Sequence, residues 1–266
     1  MFVLGVKVDN FSLAEARQRA LGFFDSLSAK KIFTVNPEMV VRAQKDEYFK
    51  QVLNAGDLNT CDGFGVRLFF GLPRVTGVDF MVELCALAAA QGRGVFLLGS
   101  GIDEVVKKTA DNLQKQFPNL KISGCDKGPL IREFSISNFK FLNNIQYQIS
   151  NIEAGLNIDQ EENSRLIARI NASQAEIIFV AFGMGKQEKW IHENLVKMPG
   201  VKIAMGVGGA FDFISGTVPR APLFFRRIGL EWMYRLARQP QRFWRIINAT
   251  AVFSFLVIRN FFNSKV

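Results

Sequence analysis

Short, nearly continuous apolar runs recur along this chain, and between them apolar positions fall three or four residues apart. The first pattern reads as buried strands, the second as amphipathic helices. Phe2 to Val8 is a short strand candidate, and Ser12-Leu13-Ala14-Glu15 has the spacing of a capping box, which predicts a helix running to about Leu27. Lys31 to Val35 is the next strand. It ends at Asn36-Pro37, where Asn suits a helix N-cap and Pro the first helical position. A strand at Asp57 to Cys61 runs into Asp62-Gly63-Phe64-Gly65, and another at Gly94 to Leu98 is closed by Gly99-Ser100-Gly101 before a helix from Asp103 to Phe117. The rhythm then repeats, with a strand at Glu176 to Phe182, a helix at Lys186 to Val196 and a strand at Val201 to Met205 that ends in Gly206-Val207-Gly208-Gly209.

This alternation predicts an α/β fold with a mostly parallel sheet, helices on its faces and functional loops at the strand C-terminal ends. Residues 130–163 are polar and without a clear period, so an insertion or mobile loop is expected there. The tail differs. Gly229 to Arg238 has helical periodicity, Pro240 interrupts it, and a second helix is expected from Gln241. Its apolar run, Ile246 to Ile258, is 13 residues long, whereas crossing a bilayer takes about 20. The expected organisation is an α/β core over 1–218 and a basic helical appendage over 219–266.

Charge sharpens that division. Of the +9 carried by 266 residues, nine Lys/Arg and the single acid Glu231 lie from Pro219 onward, so the tail holds +8 and the body +1. Such a tail suits an anionic partner. Three scattered cysteines and one histidine, His192, give neither a disulfide framework nor a zinc site. The N-terminal apolar stretch is too short for a signal peptide and is broken by Lys7 and Asp9, so the expected location is cytoplasmic.

Candidate chemistry gathers at the predicted strand ends. Asp62 could act as an oxygen base toward an acceptor hydroxyl; a cap for the helix starting at Gly63 is the plainer reading, and the two roles are compatible. Thr34 and Asn36 offer a hydroxyl and an amide, although Asn36 also reads as an N-cap. Gly99 opens a loop whose backbone N–H groups suit a phosphate, or a plain tight turn. Lys186 could meet a diphosphate and Gln187 a base or sugar hydroxyl, unless they only form a solvated helical turn. Gly208 lies in a loop that lets backbone approach a ligand closely. No Asp-x-Asp occurs, so leaving-group charge is expected to meet Arg, Lys and backbone dipoles without a metal or other cofactor. Arg235, Arg238, Arg242 and Arg245 share one face if the helix survives Pro240, and Trp232, Tyr234, Phe243 and Trp244 interleave with them, as on a helix lying on anionic lipid.

The order of these blocks resembles the WecG/TagA/CpsF glycosyltransferase family. The matching pieces are Thr34-Val35-Asn36-Pro37-Glu38, Asp62 to Val66, Arg74 to Asp79, Val95 to Gly99, Gly183 to Glu188, Gly206 to Asp212, Arg220-Ala221-Pro222 and Gly229 to Arg235. The resemblance implies a Rossmann-like core that inverts the anomeric centre without metal, with Asp62 as base and Thr34, Asn36, Arg74 and Gln187 lining the pocket. It also implies a UDP-sugar donor, N-acetylmannosamine or a relative, and a polyprenyl-diphosphate-linked saccharide acceptor in cell-surface polysaccharide synthesis. The appendage would bind the inner face of the plasma membrane, and Arg220, Arg235, Arg238 and Arg242 would reach the site. Gly185 stands where the family usually has Pro, and the Asp62–Arg74 connection is shorter than usual. No nucleic acid is expected, and a homo-oligomer is kept open. The main rival is a basic peripheral membrane or nucleic-acid binding module without catalysis; a second, a nucleotide-dependent oxidoreductase, lacks a full dinucleotide fingerprint.

Overall fold

The computed structural model describes residues 1–133, 155–227, 231–238 and 243–263. The chain opens on a hairpin, Phe2–Val3 (β1) and Val6–Lys7 (β2), turned by Leu4 and Gly5 at φ 47° and 80°. The single strand expected from Phe2 to Val8 is therefore folded back on itself, since this turn needs two positive φ angles and Gly5 supplies one without strain. Helix α1 (Leu13–Leu21) starts on the Ser12–Glu15 capping box, both of whose hydrogen bonds are present, and stops before the expected Leu27 as Phe23 and Phe24 turn into the core.

Next come Lys30–Val35 (β3), Pro37–Ala43 (α2), Glu47–Asn54 (α3), Leu58–Cys61 (β4), Phe64–Phe70 (α4), Gly77–Gln91 (α5), Gly94–Gly99 (β5), Asp103–Gln116 (α6) and Lys121–Asp126 (β6). Arg132–Glu133 (β7) pairs with Leu156–Asn157 (β8), and Gln160–Ala172 (α7) leads to Ile177–Ala181 (β9), Lys186–Asn194 (α8), Ile203–Gly206 (β10) and Ala210–Ile214 (α9). Helices α3 and α5, strand β6 and helix α7 were not among the expected elements. Helix α7 begins inside the expected 130–163 insertion, on an Asp159 N-cap that accepts from the Glu162 amide. The middle of that insertion, 134–154, lies outside the described residues.

Among the described residues six strands form one sheet in the order β4-β3-β10-β9-β5-β6, every neighbouring pair parallel. Side chains alternate between two cores, as the two-residue strand period requires. On β9, Ile178 and Val180 join a cluster with Phe33, Met39, Phe49 and Trp190, while Ile177 and Phe179 join one with Phe80, Leu84, Leu97 and Phe211. Helices α2, α3 and α8 cover the first face and α1, α5, α6 and α9 the second. From β3 the chain winds outward to β4, and from β5 outward the other way to β6. The central strands therefore flank a switch in winding direction, where open α/β sheets place their ligands.

The C-terminal segment holds Leu223–Arg227 (α10), Glu231–Arg238 (α11), Phe243–Ile247 (α12), a π-helical turn at Asn248–Val252 and Phe253–Asn263 (α13). The π turn breaks the apolar run into separate pieces, and no described helix is long and apolar enough to cross a membrane. Pro240 and Gln241 lie outside the described residues, as does Gly229. Helix α13 is docked, with Phe253 fully buried and edge-on to Phe69 at 6.0 Å.

Gly99 ends β5 at φ 120°, and a Cβ there would stand 2.6 Å from the Ala181 carbonyl carbon. Its lack of a side chain serves strand packing. Gly99→Ala is expected to cost about 3 kcal/mol, from the combined backbone strain and overpacking, as read by urea unfolding; a loss too small to resolve would contradict this packing role.

Candidate active site

The C-terminal ends of β3, β4, β9 and β10 open into a cavity of about 410 Å³ lined by Thr34, Asn36, Asp62, Gln187 and Gly208 among others. Five sequence-predicted residues from four separate strand ends thus meet in one place. Asn36 caps α2, its Oδ1 accepting from the Met39 amide at 3.0 Å, which leaves its amide nitrogen to a ligand. Thr34 is nearly buried beside Gly77, where an added Cβ would lie 3.2 Å from the Thr34 hydroxyl and 3.6 Å from Asp62 Oδ2.

Asp62 does not cap the helix that follows it. The N-cap of α4 is Gly63, which has no side-chain cap bond. Instead the Asp62 carboxylate accepts from the Gly77 amide at 3.3 Å, at the start of α5, where the helix dipole favours a negative charge. Its own amide donates to the Val35 carbonyl at 2.9 Å, tying the β4 end to β3. Neighbouring Cys61 is no rival nucleophile, since burial and the Asp62 charge push its thiol up to about 12.

A second cavity of about 420 Å³ lies beyond Asp62, between α4 and α13, walled by Phe64, Leu68, Phe69 and Phe253 and edged by Arg74 and Arg220. Asn36, Glu38, Asp62, Val78, Phe213, Ile246 and Ala249 border both cavities. Asp62 therefore sits on the wall between a polar chamber and an apolar one. Arg74 donates to the Asp62 carbonyl at 3.3 Å, the Arg226 carbonyl at 3.0 Å and Glu231 Oε2 at 2.9 Å. Arg220 binds Asp79 at 2.7 Å. Burial pushes the Asp79 carboxyl up, but bonds from Arg220 and Thr76 outweigh it and hold it below the usual range.

Two expected residues lie elsewhere. Lys186 lines an adjoining cavity with Lys127 and Gly128, which shares Ser100, Ala181 and Phe182 with the first. Gly99 is buried beside Ala181 of the neighbouring strand β9, and Ser100 takes the cavity wall in its place. The side chains of Arg235 and Arg238, and the whole of Arg242, fall outside the described residues. At Gly185, φ is 89° and the Arg42 guanidinium fills the space where a Cβ would stand. Proline cannot adopt that angle.

Sequence reasoning passed over Glu188. This carboxyl is buried behind Gln187, accepting from the Gln187 amide at 2.7 Å and from the Gly185 amide at 2.7 Å, while Gln187 Oε1 accepts from Gly208 at 2.9 Å. Both ends of the Gln187 amide are thereby held, and the loops after β9 and β10 are joined. The sequence marks Glu188 only as an acid in the first turn of a helix; nothing in it signals burial. Burial raises its pKa to about 7 against the bonds that favour ionisation.

Among the described residues no group of three His, Cys, Asp or Glu side chains is placed to hold a metal ion. The strand ends of a parallel α/β sheet thus present a carboxylate on the shared lining of a polar chamber and a more apolar one. The chain belongs to the glycosyl transferase WecG/TagA/CpsF family, whose model matches residues 1–266; it is a glycosyltransferase. It is similar to the N-acetylglucosaminyldiphosphoundecaprenol N-acetyl-beta-D-mannosaminyltransferase of Bacillus subtilis (strain 168), 31% identical over 232 residues, 85% of this chain and 78% of that one. The protein of the same name from Staphylococcus aureus (strain MW2) is 30% identical over 254 residues, 92% of this chain and 87% of that one.

Glu188 gives stability a pH dependence of known sign. Unfolded, the group ionises at about 4.5; folded, it keeps its proton to about 7. Between those values the fold binds the extra proton, so this contribution falls as pH rises and is level above about 7. Relative to the wild type, Glu188→Gln should gain on the order of 3 kcal/mol between about pH 5 and about pH 8 in urea unfolding. A difference that does not change with pH would rule this out.

Proposed function

We propose that this glycosyltransferase moves N-acetylmannosamine or a closely related sugar from UDP to a saccharide carried on a polyprenyl diphosphate, inverting the anomeric centre without a metal. The observation that carries the reading is the place of Asp62 on the shared wall of the two cavities. A donor in the polar chamber and an acceptor entering from the apolar side would meet at its carboxylate. Asp62 takes the proton of the acceptor hydroxyl, the oxygen forms its bond to sugar C1, and the C1–O bond to the diphosphate breaks as UDP leaves. Thr34, Asn36, Gln187 and Gly208 hold the donor. Arg74 and Arg220 border the acceptor side, and Arg235, Arg238 and Arg242 bring further positive charge to the diphosphates. The acceptor class follows the activity for which the two bacterial relatives are named.

The same reading makes 1–218 the catalytic core and 219–266 an appendage resting on the inner face of the plasma membrane. Its support is the +8 charge together with exposed Phe243, Trp244, Phe255, Phe261 and Phe262 on α12 and α13.

Asp62→Asn keeps size and hydrogen bonding but removes the base, so turnover should fall about 100- to 10,000-fold with donor affinity and folding retained; near-wild-type turnover on a true acceptor would remove Asp62 from this role. EDTA should leave the rate unchanged, and a loss restored by magnesium or manganese would sink the metal-free step. Replacing Arg235, Arg238, Arg242 and Arg245 with Gln should release the protein from anionic vesicles, as added salt should for the wild type, each charge contributing about 1 kcal/mol. Retention on vesicles by the substituted chain, or preferential capture by oligonucleotides, would contradict the membrane assignment.

A further inference from the structure

The C-terminal segment carries one acid among nine bases, and that acid is not on the surface. Glu231, in the first turn of α11, has a side chain 13% exposed and faces two guanidiniums: Arg74 at 2.9 Å and, more distantly, Arg220 Nε at 3.8 Å. Arg74 is itself only 14% exposed. It reaches the core through the Asp62 carbonyl and the C-terminal segment through the Arg226 carbonyl and Glu231. A second ion pair crosses the same junction with reversed polarity, Arg220 on Asp79, and Thr76 bonds both partners. Buried Arg220 Nε makes no hydrogen bond among the described residues, and Glu231 is the carboxylate facing it.

A helix-dipole interaction would suit an acid at this position of α11, but it would leave the carboxylate in water. Here it is withdrawn from water onto the one core arginine bonded to the main chain of Asp62. Two positive groups this close to each other, and largely out of solvent, repel unless an anion stands between them. The second cavity is bordered by all three side chains, Arg74, Arg220 and Glu231, together with Asp62.

We propose that Glu231 is a positioning residue: it latches α11 to the core through Arg74 and fixes Arg74 and Arg220 at the rim of the acceptor-side cavity. The proposal rests on the reading of Asp62 as the transfer site. In it, the appendage does more than bring the enzyme to its substrate, because without Glu231 the two guanidiniums separate and the loop bearing Asp62 loses its link through Arg74 to α11. The carboxylate acts through the arginines and does not touch the reacting atoms.

The test uses the full chain bound to anionic vesicles, with Glu231→Gln and Glu231→Asp, and reads amide hydrogen exchange alongside kcat and KM. In Glu231→Gln, exchange over 231–238 should quicken while β3, β9 and β10 stay protected, and kcat/KM should fall about 100-fold, chiefly in kcat, as expected for misplacement of catalytic geometry. Glu231→Asp, which keeps the charge, should recover part of both. Wild-type exchange in Glu231→Gln would overturn the latch, and quickened exchange with wild-type turnover would overturn the positioning role. A rise in activity would also overturn it, showing Glu231 to compete with substrate for the arginines. Should the wild type transfer no sugar at all, the proposed function fails, while the exchange measurement still decides the latch.

Discussion

A parallel sheet covered on both faces leaves the interior of its central strands to apolar side chains and gathers polar ones at the strand ends. In this protein the interior residues of β5, β9 and β10 are buried and apolar, and the adjacent strands start on the same side because every pairing is parallel. Thr34, Asn36, Asp62 and the glycine loops after β9 and β10 are therefore delivered to one rim. Backbone amides and helix N-termini arrive there too, so the rim can hold negative charge before any lysine or arginine is considered.

What the sheet does not supply is a second wall. That comes from the C-terminal helices, where Ala249 and Ile246 border both cavities and Phe253 enters the core near Gly65 and Phe69. Burying Phe253 anchors the helix that follows the π turn, and Ala249 and Thr250 of that turn line the second cavity. The polar chamber and the apolar one are thus divided by residues from opposite ends of the chain, with Asp62 between them. On this account the tail and the sheet form one site.

Elements with a local signal were legible in the sequence. The Ser12–Glu15 box and the Asn36-Pro37 start each depend on contacts within one helical turn, and both are seen in the structure. Helix α5 had comparable signals, a Thr76 cap and Asp79 three residues on, but its nearly all-apolar body lacks the polar stripe that marks a surface helix. Strand β6 was missed because its burial pattern is mixed at a sheet edge. The convergence of Thr34, Asn36 and Asp62 could be expected from strand ends alone. The pairing of Arg74 with Glu231, 157 positions apart, and the burial of Glu188 could not, since both depend on which elements pack together. Lys186 shows the converse: a lysine opening a helix after a strand suits a phosphate, yet its side chain lines the adjoining cavity and not the one that Asp62 borders.

The most direct measurement of the central claim, a single displacement at C1 assisted by Asp62, is the anomeric configuration of the product. Transfer from a UDP-sugar of defined configuration, followed by the one-bond carbon–proton coupling at the anomeric centre, reports it in one spectrum. Inversion relative to the donor is the expected result. Retention would contradict it, because attack by the acceptor from the face opposite UDP cannot preserve configuration.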